Sequence, residues 1–240
     1  MRHSYIDQYS SSGSFVARLD PRIKITAFIA LVIFAVITPN FSYRELYLQG
    51  LLALSLALIS RVPFGFILKK SLMVIPFVAA VSALNLIMGR QTITAFTAVL
   101  AKSCLSAVYI IILVATTRFD DLMKGFESLR CPHLVTTILS FMYRYVFLIE
   151  DELMTMKTAK ESRSFGGSAL FHAKAYSNIL GSLFVRSYER AEEVYLAMCA
   201  RGFDGKIKSL NEFKLRKADG VFLIIIGIVL ILIRFAGAIR

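Results

Sequence analysis

Five apolar runs joined by short polar stretches constrain this chain more than any other feature. Ile25 to Ile37, Leu46 to Ser60, Ser71 to Gly89, Ser103 to Thr117 and Gly220 to Ile233 contain no charged residue, and the fourth reaches back toward Thr94. A helix needs about 20 residues to cross a bilayer, and somewhat fewer where the lipid thins or flanking side chains snorkel. The chain is 57% hydrophobic and only 18% charged over 240 residues. A water-soluble domain carries fewer apolar side chains and more charge. The pattern predicts an all-α, polytopic integral membrane protein with about five transmembrane helices.

The charges that remain are placed unevenly. Arg18, Arg22 and Lys24 precede the first run, and Arg61, Lys69 and Lys70 separate the second from the third. The loop after the first run holds only Arg44 beside Glu45, and the loop after the third only Arg90. The excess of Lys and Arg in cytoplasmic loops then predicts a cytoplasmic N terminus. It also predicts three parts: a membrane part with four spans (residues 1–118), a cytoplasmic segment (119–219) and a last transmembrane helix (220–240). The net charge of +12 reads as this bias plus contact with anionic lipid, not as a nucleic-acid surface. His133 to Glu150 is also apolar. As a span it would leave Arg144 in hydrocarbon and the basic segment outside, so a helix lying under or partly in the membrane is expected. The polar first residues lack the pattern of a cleavable signal peptide and are expected to be loosely ordered or flat on the cytoplasmic face.

The basic segment is periodic, which sets it apart from a linker. Phe141, Tyr145, Leu148, Glu152 and Met156 recur at helical spacing, with Arg144, Asp151 and Lys157 off the stripe. Tyr176, Leu180, Leu183, Ser187, Ala191, Val194 and Met198 form a second stripe, with Arg186, Glu189, Arg190, Glu192 and Glu193 expected mostly elsewhere on the helix. Such spacing predicts two amphipathic helices. Each ends in a related motif, "AKESRSFGG" (Ala159 to Gly167) and "AMCARGFDG" (Ala197 to Gly205), with an arginine among small residues before a glycine. Either one alone is explained as a C-cap, in which glycine turns the chain and arginine complements the helix dipole. A cap requires neither small residues at matching offsets nor a phenylalanine two positions after each arginine. Small residues admit close approach, and an arginine fork bridges carboxylates or helix-terminal carbonyls. Together they suit docking into another protein.

These paired motifs resemble the Ala-Arg-Gly signatures of the transmembrane T components of energy-coupling-factor (ECF) transporters. "RLDPRIKI" (Arg18 to Ile25), "TTRFDDLMKGFESLRCP" (Thr116 to Pro132) and "FMYRYVFLIEDEL" (Phe141 to Leu153) are similar to other stretches of that family, in the same order. "MCARGFDG" followed by one late span is most similar to the cobalt branch, CbiQ, or its nickel relative. The resemblance implies a subunit without chemistry or cofactor of its own, in a bacterial or archaeal cell membrane. The partners it implies are two ATP-binding cassette ATPases, a CbiM-like substrate-binding membrane subunit and a small accessory membrane subunit. It further implies that Arg163, with Ala159, Ser162 and Ser164, docks on one ATPase, and that Arg201, with Ala197, Ala200 and Gly202, docks on the other. The first motif departs from the family pattern, with Ser162 and Ser164 where alanine and glycine are usual. The substrate expected is cobalt, with nickel or a vitamin as alternatives.

Other classes fare worse. No Gly-x-x-x-x-Gly-Lys-Ser/Thr loop is present to cradle phosphates. His3, His133 and His172 are scattered, as are Cys104, Cys131 and Cys199, so a metal-binding permease acting alone lacks ligand spacing. Glu150, Asp151 and Glu152 are successive helical positions that point in different directions, which argues against a catalytic carboxylate cluster. Asn85, Ser82 and Lys102 lie within spans, and Pro76 is expected to kink the third.

Overall fold

A computed structural model describes residue 16 and residues 19–39, 43–60, 62–88, 92–163, 166, 169–203, 205 and 217–238. The first fifteen residues lie outside this set. The described elements are all helices: α1 (Pro21–Ile37), α2 (Tyr43–Ser60), α3 (Phe64–Leu72), α4 (Ile75–Ile87), α5 (Ile93–Thr116), α6 (Phe119–Ser128), α7 (His133–Arg163), α8 (Ala169–Ala200) and α9 (Lys217–Ala238). They fall into two units, one of Met1–Arg130 with Glu212–Arg240 and one of Cys131–Asn211.

In the first unit α5 is the hub, packed by α1, α2, α3 and α4, while α9 lies on α1 and α2 and α6 on α1. The local signals are explicit at the start of α1. Asp20 is the N-cap, its carboxylate accepting the Arg22 N–H at 3.0 Å, and Pro21 opens the first turn, where a missing N–H costs nothing. Ala27, Phe28, Leu31 and Ala35 of α1 then pack with Ala53 and Leu56 of α2, Tyr109 and Ile112 of α5, and Ile226 of α9. The outward side is no more polar than the inward one. Ile29, Ile33 and Ile37 of α1, Phe77 and Ile87 of α4, and Ile224, Ile228 and Leu232 of α9 are all exposed. Helices apolar all round are stable when the surroundings are lipid.

Three helical stretches are long and apolar enough to cross a membrane, Phe64–Ile87, Ile93–Thr116 and Ala218–Ala236, matching the third, fourth and fifth expected spans. The first two expected spans correspond to α1 and α2, which are shorter at 17 and 18 residues. In addition, α2 takes in Arg44, Glu45 and Gln49. The expected kink at Pro76 is realised as a break. The third span is two helices, α3 and α4, separated at Met73 and Val74, with Pro76 in the first turn of α4. Proline has no N–H to give to Leu72 and its ring crowds that carbonyl, so the ladder stops there.

Polar side chains hold the unit at both ends. At one, Gln49 Nε2 donates to Thr38 Oγ1 at 2.8 Å, the Tyr109 hydroxyl donates to the Gln49 carbonyl at 3.0 Å, and Arg234 pairs with Glu45 at 3.4 Å. At the other, Lys24 Nζ donates to the Thr116 carbonyl at 3.2 Å and the Asp20 N–H donates to Asp219 Oδ1 at 3.0 Å. Here α6 approaches α1 so closely that a Cβ on Gly125 would come within 2.6 Å of Ile25 Cδ1.

Candidate coupling site

The second unit consists of α7 and α8, of 31 and 32 residues, in antiparallel contact. Arg186 Nη1 of α8 donates to Glu152 Oε1 of α7 at 2.9 Å. Farther along, Lys160 Nζ lies 3.1 Å from His172 Nδ1 and 4.2 Å from the centre of the Tyr176 ring. Rising numbers on one helix thus meet falling numbers on the other. The expected stripes face each other across a groove of 390 Å³ lined by Phe141, Tyr145 and Leu148 of α7 and Ser187, Val194 and Met198 of α8.

The structure corrects two details of those stripes. Arg186 and Arg190, expected off the face, line the groove, and Arg186 balances Glu152 within the apolar stripe. In the first turns of α8 the half-buried residues are His172, Ala175 and Ile179, whereas Tyr176 and Leu180 are 41% and 60% exposed. At 3.6 residues per turn a row of fixed offsets drifts around the helix. Counting back from buried Leu183 by fours leads to Ile179 and Ala175 on the inner side.

The arginine motifs stand at the two C-termini. At the end of α8 the Gly202 N–H donates to the Cys199 carbonyl and the Phe203 N–H to the Met198 carbonyl, both at 3.0 Å. Gly202 takes φ +77°, in the left-handed region. This is a Schellman turn, with Arg201 as the capping residue. Backbone N–H groups satisfy these terminal carbonyls, so capping leaves the guanidinium free for other work. Ala197, Ala200, Arg201 and Gly202 are all exposed. Valine at Gly202 would force a β-branched residue into the left-handed region. Gly202→Val is therefore expected to destabilise the last turn of α8 by about 1–2 kcal/mol. Faster amide exchange at Arg201 to Phe203 would register this, and unchanged protection would contradict it.

At the end of α7, Arg163 is the last helical residue, and Ala159, Ser162 and Arg163 are likewise exposed. The Ser162 hydroxyl turns back to the Thr158 carbonyl at 2.9 Å. Gly166 takes φ +95°, three positions after Arg163, where the second motif turns at the next residue. Ser164 and Gly167 lie outside the described residues. Among the described residues neither guanidinium has a hydrogen bond or an ion pair.

Because α7 and α8 run in opposite directions, the two arginines sit at opposite ends of the pair. The residue level with Arg163 is close to His172, which puts Arg201 roughly 40 Å away at 1.5 Å per residue. Periodicity placed each arginine at a helix end but carried no information on direction. That came only from the Glu152–Arg186 and Lys160–His172 pairings.

The remaining candidates stay apart. Glu150 and Asp151 are exposed. His133 Nδ1 lies 3.1 Å from Thr137 Oγ1, and His3 is outside the described residues. Cys104, Cys131 and Cys199 are free thiols. Among the described residues no group of three His, Cys, Asp or Glu side chains is placed to hold a metal ion.

Comparison with known proteins gives consistent relatives. Residues 12–212 match the family model CbiQ, described as cobalt transport protein. An uncharacterised protein of Methanocaldococcus jannaschii is 24% identical over 92% of this chain and 82% of its own length. The energy-coupling factor transporter transmembrane protein EcfT of Bacillus selenitireducens is 29% identical over 83% of this chain and 84% of its own. The EcfT of Brevibacillus brevis is 29% identical over 95% and 96%.

Proposed function

The chain belongs to the CbiQ family of cobalt transport proteins, and from that membership we propose that it is the non-catalytic transmembrane T component of an ECF transporter. In this reading two ATPase subunits hydrolyse ATP on the cytoplasmic side, where the N terminus also lies. Arg163, with Ala159, Ser162 and Ser164, docks on one of them, and Arg201, with Ala197, Ala200 and Gly202, on the other. The α7–α8 pair carries their closure to a separate substrate-binding membrane subunit, and the substrate is cobalt. The observation that carries the reading is the pair of exposed arginines at opposite ends of two stiff antiparallel helices. Their separation supports two partners, one at each end, and the Schellman turn that satisfies the terminal carbonyls supports a role for Arg201 beyond capping.

Uptake tests it. Cells expressing this chain with the ATPase and substrate-binding subunits are expected to accumulate radiolabelled cobalt, and to lose the accumulation when this chain alone is omitted. Undiminished accumulation without it would refute the proposal. Labelled nickel or a labelled vitamin offered to the same cells decides the substrate.

A further inference from the structure

One residue of each arginine motif turns toward the opposite helix, and it holds the same place in both. Laid over each other, Ala159 to Arg163 and Ala197 to Arg201 align Lys160 with Met198, three places before the arginine. Across residues 157–163 every residue is exposed except Lys160, and across 195–201 every residue is exposed except Met198. Met198 lines the groove between the helices together with Phe141 and Tyr145 of α7. Lys160 makes the matching approach to α8, its Nζ 3.1 Å from His172 Nδ1 and 4.2 Å from the centre of the Tyr176 ring. Each anchor thus meets two ring side chains spaced (i, i+4) on the other helix, neighbours on one helical face.

The two anchors differ in chemistry. Methionine fills an apolar site with a flexible thioether. Lysine lays its alkyl stem along the stripe and sets an ammonium against the face of the tyrosine ring. An ammonium only donates, so His172 Nδ1 accepts and the ring carries its proton on Nε2. Residues three apart stand about 60° apart around a helix. An inward anchor three places earlier therefore turns the arginine to the flank of the pair, and both arginines are exposed there. We propose that Lys160 is a positioning residue for Arg163. Held by His172 and Tyr176, it fixes the rotation of the last turn of α7 and with it the direction in which the guanidinium is presented, as Met198 does for Arg201. The inference rests on the docking reading for what the arginine meets, whereas the clasp belongs to α7 and α8 alone.

The test is a cycle of variants in the full complex. Lys160→Ala removes the clasp without weakening the helix, because alanine is the best helix former. Amide exchange in the last turn of α7 should quicken by at least about ten-fold, while exchange from Met198 to Phe203 stays at the wild-type rate. In an Arg201→Glu background, where Arg163 is the remaining grip, Lys160→Ala should lower ATPase affinity by at least about ten-fold. In an Arg163→Glu background it should lower the affinity no further, because Lys160 acts through that arginine. Lys160→Arg keeps a cation over Tyr176 and a donor to His172, and should restore both readings. A purely structural role would lower the affinity in both backgrounds, and that result overturns the proposal, as does wild-type exchange in Lys160→Ala. If Arg163→Glu alone leaves ATPase affinity unchanged, the docking reading fails instead, and the exchange rates still decide whether Lys160 holds the tip.

Discussion

Arg201→Glu, alone and with Arg163→Glu, is expected to abolish ATP-driven uptake while leaving the chain folded in the membrane. Both side chains are exposed and, among the described residues, neither has an intramolecular partner. Their replacement therefore removes no contact among the described residues. An arginine at the centre of a protein interface contributes about 2–4 kcal/mol, and a reversed charge adds repulsion against whatever acid it meets. The expected loss of ATPase affinity is roughly 30- to 1000-fold for one site, read as ATPase subunits missing from the purified complex. Because the sites are about 40 Å apart at helical rise, the single variants should each lose one ATPase and the double variant both. A double variant that assembles and transports normally would overturn the docking role of these residues.

Lys24→Met has the largest effect expected on stability. Lys24 is 1% exposed, at the end of the first unit where α1 begins, and lies within electrostatic reach of Asp121, Asp219 and Asp20. Burial lowers its pKa to about 8 despite those three carboxylates, so removal from water outweighs their attraction. Methionine keeps the volume but strands Asp20 and Asp219, which are 6% and 2% exposed. Removing one member of a buried charged cluster costs about 3–5 kcal/mol. The purified protein in detergent should melt well below wild type, and Lys24→Met with Asp219→Asn should recover part of the loss. A single variant as stable as wild type would mean that the cluster holds nothing. The pH response has a definite sign. The folded pKa of Lys24 lies below the ordinary 10.5, so the unfolded chain binds more protons between the two values. Its contribution to stability therefore rises with pH from about 8 toward 10.5.

Much of this molecule was legible because lipid and helix each impose one strong period. The apolar runs marked the spans, and the glycines marked where α7 and α8 end. Side-chain partners were not legible. Glu152 was counted in the first stripe, and nothing near it in sequence pointed to Arg186, 34 positions away, as its partner. Lys24 read as one more positive-inside charge, and nothing near it in sequence announced Asp219. Such pairings depend on which helices become neighbours, and hydropathy says only that some helix must.

The Glu152–Arg186 pair meets near the midpoint of both long helices, and both side chains are open to water. An ion pair so exposed resists little, about 1 kcal/mol or less, and the groove beside it leaves the facing side chains loosely interlocked. Each rod, by contrast, is stiffened by an unbroken backbone ladder of some thirty residues. Torque applied at the tips would open or close the angle between the rods before it bent either of them. The junction would then act as a pivot, a push on one tip turning one rod against the other.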